Sequence, residues 1–306
     1  MTIKPLVQVN QISKEFPIKK RFMKALSQIS FNIYAGEVLG IVGESGSGKS
    51  TLGKLLVKIL NPSEGDILFE NQSLLKMTHK EIHLFRKNAQ MIFQNPYSSL
   101  NPRMNARDIV EEPLKIYKIG DQTYRKARVL ELFDSVGLDS SFQSRYPHEF
   151  SGGQRQKLSI ARTLSLSPKF IVCDEPTAAL DVSIQAQIIN LLKKLQTDLG
   201  LTYFFISHDL NVIRHICSRI MVIYYGQIVE VANTDELFSN PLHPYTQKLL
   251  SSIPIPDPKL EKLRLQKKKE ESTLQKNLVM PEWHFSQSQI NPPLKRINPT
   301  HYVQTV

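Results

Sequence analysis

Glu37 to Leu56 reads EVLGIVGESGSGKSTLGKLL. The opening EVLGIVG is a short apolar run of the kind that forms a buried strand. The closing TLGKLL, continued by VKIL, sets Leu52, Leu55, Leu56 and Ile59 at helical spacing. Between strand and helix lies a loop of Gly43, Glu44, Ser45, Gly46, Ser47, Gly48, Lys49, Ser50 and Thr51. Gly43, Gly48, Lys49 and Ser50 match G-x-x-x-x-G-K-[ST] without departure. Glycines let backbone N–H groups turn inward around phosphates where a β-carbon would clash. The helix that starts there adds unpaired N–H groups and a positive dipole end. Lys49 supplies a point charge for the β- and γ-phosphates, and Ser50 a hydroxyl for Mg²⁺.

Upstream, LVQVNQI and LSQISFNI alternate apolar and polar residues, so Leu26, Ile29, Phe31 and Ile33 are expected on one face of a strand. Downstream, DILFENQSL reads as turn and strand. Helical patterns dominate from Lys80 to Leu166, broken at NPYSSLNPR and YPHEFSGG. Strand-like runs return in FIVCDEP, LTYFFISHD and IMVIYYGQIVE, the last a hairpin turning at Gly226. Alternating strands and helices predict an α/β fold with a parallel-rich core and an inserted helical subdomain at about residues 95–166. Beyond residue 240 proline becomes frequent, and an appended segment with weak autonomous folding is expected.

The chain has 306 residues, 41% of them hydrophobic and 22% charged, ample for a buried core and ordinary for a globular protein. Its net charge of +11 permits anionic partners without choosing among them. Six lysines and arginines crowd Lys259–Glu271, read as a solvated basic helix or linker. Two cysteines, Cys173 and Cys217, form no C-x-x-C pair, so no zinc ribbon or Fe–S cluster is expected; Cys173 falls in an apolar run as a small core residue. The start lacks a signal pattern, and no stretch of about eighteen apolar residues occurs, so neither export nor a membrane span is expected.

FIVCDEP brings Asp174 and Glu175 out at the C-terminal end of a strand, where ligands gather in open α/β sheets. Asp174 is placed to hold a metal through water, Glu175 to polarise an attacking water. EFSGGQRQ holds a second glycine pair without a lysine. Ser151 and Gln154 make an S-x-x-Q capping pattern, so a helix starts there. Gly152 and Gly153 bare its N–H groups toward an anion.

GESGSGKST, FSGGQRQ, FIVCDEP, AALD and SHD, in this order, resemble the ATPase subunit of an ABC transporter, over roughly Leu6 to Asn240. The resemblance implies a P-loop NTPase core with an antiparallel β subdomain, an ATPase domain over 1–239 and an extension over 240–306. It implies ATP and Mg²⁺ as cofactors. Gln94 would touch the metal, His208 would contact the γ-phosphate and Phe16 would stack on adenine. Phe150 stands where many members have Leu, and Ala178 where Ser is common. The SGGQ helix would grip a phosphate held by a second ATPase subunit facing head to tail, with Asp181 as a dimer contact.

NPLHPYTQKLLSSIP resembles the C-terminal extension of oligopeptide, dipeptide and nickel importer ATPases. That implies uptake of oligopeptides or dipeptides, with a nickel or metal-chelate importer as the alternative. The partners implied are a second ATPase subunit, either a different chain or another copy of this one, two integral membrane permeases and, indirectly, an extracellular solute-binding protein; no nucleic acid is expected. The place implied is the cytoplasmic face of the cell membrane, peripherally. Non-transport ABC ATPases carry paired units or a coiled-coil insertion, which this chain lacks.

Overall fold

Leu26 and Ile29 are three residues apart, so a regular strand would turn them to opposite faces. The computed structural model, which describes residues 4–18, 21–252 and 294–304, shows how both become buried. β1 (Val7–Ile18) and β2 (Arg21–Ile33) pair antiparallel with register shifts on each side of Ile12↔Ile29. Gln11 and Gln28 take positive φ, near +48° and +49°, as the extra residues of β-bulges. Their N–H groups donate across the strands to the hydroxyls of Ser30 (2.8 Å) and Ser13 (3.2 Å). Val7, Val9 and Ile12 on one strand, and Leu26, Ile29 and Ile33 on the other, thereby reach the same core, with Phe31 packed against it.

β3 (Val38–Val42) leads into the glycine loop, and α1 (Lys49–Leu56) leaves it. Leu52, Leu55 and Leu56 are buried as the spacing predicts, but Ile59 is half exposed. The helix has already ended: Lys58 turns the chain with φ +57°. β4 (Glu64–Phe69) and β5 (Gln72–Ser73) complete an antiparallel sheet in the order β2-β1-β4-β5.

α2 (His79–Asn88) opens on a Thr78–Glu81 capping box. It runs directly into β6 (Ala89–Ile92), a parallel edge strand that the helical reading of Lys80–Leu166 passed over. α3 (Pro96–Ser99), α4 (Ala106–Ile116), α5 (Gln122–Ser135) and α6 (Gly152–Leu164) follow, with Asn95, Asn105, Asp121 and Ser151 capping their N-termini through side-chain oxygens.

β7 (Phe170–Asp174), α7 (Val182–Leu199), β8 (Thr202–Ile206), α8 (Leu210–Ile216) and β9 (Arg219–Tyr224) return the chain to the core sheet. β9 turns at Tyr225 (φ +43°) and Gly226 (φ +76°) into β10 (Gln227–Asn233), the two left-handed residues of a tight hairpin. α9 (Thr234–Ser239) and α10 (Pro244–Leu250) come next. β11 (Leu294–Arg296) and β12 (Tyr302–Gln304) then extend the core sheet past β10, a pairing the sequence did not disclose. The core sheet runs β11-β12-β10-β9-β3-β8-β7-β6. Lys259–Glu271 lies outside the described residues.

The central strands bury both faces, alternating residue by residue. Val38 and Val42, Ile171 and Cys173, Tyr203 and Phe205, Ile220 and Val222 face the helices α4 to α8. Leu39 and Ile41, Phe170 and Val172, Phe204 and Ile206, Met221 and Ile223 face α1 and the antiparallel sheet. Every strand of the parallel core therefore delivers its C-terminal end to the same edge, next to the glycine loop.

Candidate functional site

The loop after β3 is fixed from behind by its own protein. A β-carbon on Gly43 would lie 2.2 Å from the carbonyl oxygen of Ile223. Gly48 caps α1 in a left-handed conformation (φ +105°), where a β-carbon would meet Ala25 O and Leu26 at 2.7 Å. The glycine requirement at these two positions thus comes from neighbouring chain. Gly46, by contrast, faces open space. Within the loop the Glu44 N–H is bonded to Tyr245 and the Ser47 N–H to the Glu44 carbonyl, and α1 begins directly after Gly48.

Lys49 is buried, and its ammonium donates to the carbonyl oxygens of Gly43 and Glu44, both at 2.7 Å. Burial pulls its pKa down, while Glu175, Asp174 and Glu44 pull it up. A buried cation resting on two loop carbonyls is a strong magnet for phosphate, so the residues present fit a nucleotide. Ser50 donates its hydroxyl to Asp174 at 2.8 Å, which brings the loop and the end of β7 together. Burial raises the Asp174 carboxyl above its ordinary value, and the Ser50 hydrogen bond and the Lys54 and Lys49 charges oppose that. A hydroxyl and a carboxylate beside a phosphate loop are the hard oxygen donors that Mg²⁺ takes together with substrate phosphates.

Glu175 follows Asp174 in a left-handed conformation (φ +46°), an unusual place for a residue with a β-carbon. Its carboxylate Oε2 accepts from the Gln94 amide at 2.8 Å and stands 3.3 Å from His208 Nδ1. Gln94 enters from the loop after β6 and His208 from the loop after β8. Three loops at the C-terminal edge of adjacent parallel strands therefore meet on one oxygen atom.

Ser151 caps α6 as its spacing predicts: its hydroxyl accepts from the Gln154 N–H (3.3 Å) and the Gln154 side chain accepts from the Ser151 N–H (3.0 Å). α6 packs on α3, α4, α5, α7 and β6, whereas α1 packs on β2, β7 and β8. The two glycine-bearing helix starts thus rest on different supports. Gly153 has a packing role as well, since a β-carbon there would fall 2.4 Å from Ile184 of α7. Gly152 sits beside Leu180, and Ser151 and Asp181, the neighbours of these two residues in sequence, are both exposed. Phe16 is half-buried on β1 opposite Met23, outside the buried core, with the Lys14 ammonium 5.1 Å from its ring centre.

The sequence pointed to one further contact only as a motif of unassigned role. Tyr245, in HPYT, accepts the Glu44 N–H of the loop through its hydroxyl at 2.9 Å.

Strand, phosphate loop, helix, paired acids on the adjacent strand and a detached SGGQ helix define a nucleotide-binding P-loop ATPase of cassette type. A family model described as ABC transporter matches residues 26–178, and one described as oligopeptide/dipeptide transporter, C-terminal region, matches residues 229–278. The chain belongs to the ATP-binding subunits of ABC transporters. The oligopeptide transport ATP-binding protein OppF of Streptococcus mutans is 52% identical over 86% of this chain and 86% of its own length. OppF of Bacillus subtilis is 48% identical over 88% of this chain and 89% of its own. Among solved structures, the ATP-binding cassette MJ0796, a dimer in a post-hydrolysis state bound to ADP and Pi, superposes with a TM-score of 0.69. It is 32% identical, covering 74% of this chain and 98% of that one.

Proposed function

We propose that this chain is the ATPase subunit of an ABC importer that takes up oligopeptides or dipeptides. The observation that carries the ATPase half is the meeting of Gln94 and His208 on the Glu175 carboxylate, next to the Ser50–Asp174 pair. The substrate class rests on the matched C-terminal region and on the peptide-transport names of the relatives. Those names give no support to the nickel or metal-chelate alternative.

In this proposal the domain spans 1–239 and the extension 240–306. Gly43–Thr51 would hold the phosphates of ATP, and Phe16 would take its adenine. Ser50, Gln94 and Asp174 would hold Mg²⁺, which would supply positive charge against the phosphates. Glu175 takes a proton from water as the water oxygen bonds to the γ-phosphorus. The bond to the β–γ bridging oxygen breaks, giving ADP and phosphate. His208 orients the γ-phosphate and the water. Ser151, Gly152, Gly153, Gln154 and Asp181 serve the nucleotide of a second ATPase subunit.

Passage of the peptide falls to two permease subunits in this proposal; no helix among the described residues is long and apolar enough to cross a membrane. A cleft of about 280 Å³ lined in part by Phe93, the residue before Gln94, supports their docking on this chain, as a peripheral subunit at the cytoplasmic face. Phe93, Ile59 and Ile116 line it and are exposed; movement of Phe93 there would shift the neighbouring Gln94.

The test is uptake of a radiolabelled tetrapeptide by cells whose only copy of this chain carries Glu175→Gln. Loss of peptide uptake with nickel uptake unchanged supports the proposal. Normal peptide uptake contradicts it.

A further inference from the structure

We infer that Tyr245 is a positioning residue for Lys49, acting through a single peptide plane of the phosphate loop. This rests on the proposed role of Gly43–Thr51 as the nucleotide loop. The Glu44 N–H donates to Tyr245 Oη at 2.9 Å, and the Gly43 carbonyl oxygen accepts from Lys49 Nζ at 2.7 Å. That carbonyl and that N–H are the two ends of one peptide group. The group is planar, so its ends point in opposite directions. Rotating it to release the phenol would swing the carbonyl away from the ammonium. Tyr245 thus sets where the lysine charge rests before the nucleotide arrives.

The phenol is itself firmly placed. Tyr245 is buried, and burial pushes its pKa up to about 12, so the oxygen accepts as a neutral hydroxyl. Its ring lies 4.1 Å from that of Tyr224. Its own N–H donates to His243 Nδ1, which caps α10 at 3.1 Å. The N–H groups of Leu242 and His243 donate to the two oxygens of the fully buried Glu230 carboxylate, at 2.8 and 3.0 Å. His301, from the chain between β11 and β12, reaches the same carboxylate at 2.7 Å. A path of hydrogen bonds through Glu230 of β10 thus links His301, beside the last strands, to α10 and the phosphate loop. HPYT is part of the nucleotide site's support.

A double-mutant cycle of Tyr245→Phe and Lys49→Ala on the full chain tests this, with a fluorescent ATP analogue and Mg²⁺ as probe. Tyr245→Phe should raise the analogue's Kd roughly fivefold, the size of one neutral hydrogen bond. The nucleotide-free melting temperature should stay within about 3 °C of the parent. In the Lys49→Ala background the same substitution should change Kd by less than about twofold, because the group it positions is gone. A fivefold loss in both backgrounds, or none in the chain that keeps Lys49, overturns the inference alone. Unchanged binding in Lys49→Ala overturns the nucleotide-loop proposal and the inference with it. A second readout needs no variant: the Glu44 amide of the nucleotide-free chain should exchange slowly with solvent, and fast exchange overturns the inference.

Discussion

Gln94 donates its side-chain amide to the Glu175 carboxylate at 2.8 Å, joining residues 81 positions apart. The bond ties the loop that leads into the helical block to the end of β7. A conformational change in that block would therefore reach the Glu175 carboxylate, the proposed base.

Glu175→Gln follows from this geometry. The replacement keeps a carbonyl oxygen to accept from Gln94 but cannot take up a proton. Steady-state phosphate release by the permease-bound complex should fall about a thousandfold, equivalent to about 4 kcal/mol in the barrier. Binding of MgATP should change less than about threefold. Normal turnover would remove Glu175 from the role of base.

Phe204→Ala addresses the fold. Phe204 is fully buried between the core sheet and the antiparallel sheet, with its ring stacked on Phe31 at 6.0 Å. Truncation leaves a cavity that rigid neighbours on two sheets cannot fill. A loss of about 3–5 kcal/mol is expected in urea unfolding, with the m-value unchanged. A loss below about 1 kcal/mol would mean that the two sheets do not share this core.

Acid should loosen α10. His243 Nδ1 accepts the Tyr245 N–H, which requires an unprotonated nitrogen. Burial lowers the His243 pKa below its ordinary 6.5, with the Glu230 carboxylate opposing. The unfolded chain then binds the proton more readily than the folded one, so stability rises with pH. The contribution is full above about pH 6.5 and is lost as pH falls through the lower folded value. Between about pH 7.5 and 5.5, the urea midpoint should fall less in His243→Asn, whose side chain can still cap α10 without titrating. Equal acid sensitivity in the two chains would contradict this.

Much of the site was legible because its parts are local in sequence. The phosphate loop is one run of nine residues, and the Ser151–Gln154 cap needs only its own turn. Asp174 and Glu175 follow a strand whose apolar run is unmistakable. β6 was hidden because AQMI is four residues long and continues α2 without a break, so no turn announces it. β11 and β12 were hidden because each is three residues long and β12, which joins them to the sheet, pairs with β10 about seventy residues earlier. The bulges at Gln11 and Gln28 explain why an imperfect alternation still buried one face. Tyr245 was invisible as a site residue because its partner is a backbone N–H about two hundred residues earlier.

The central claim is that a nucleotide is held between Lys49 of one subunit and Ser151 of another. Amide hydrogen exchange of residues 151–155 tests it most directly, in Glu175→Gln chain with and without the second ATPase subunit and MgATP. The prediction is slowed exchange at this helix start only when MgATP and a second subunit, a partner chain or another copy of this one, are both present. Slowing by MgATP in chain that remains monomeric, or no slowing in the assembled complex, would contradict it.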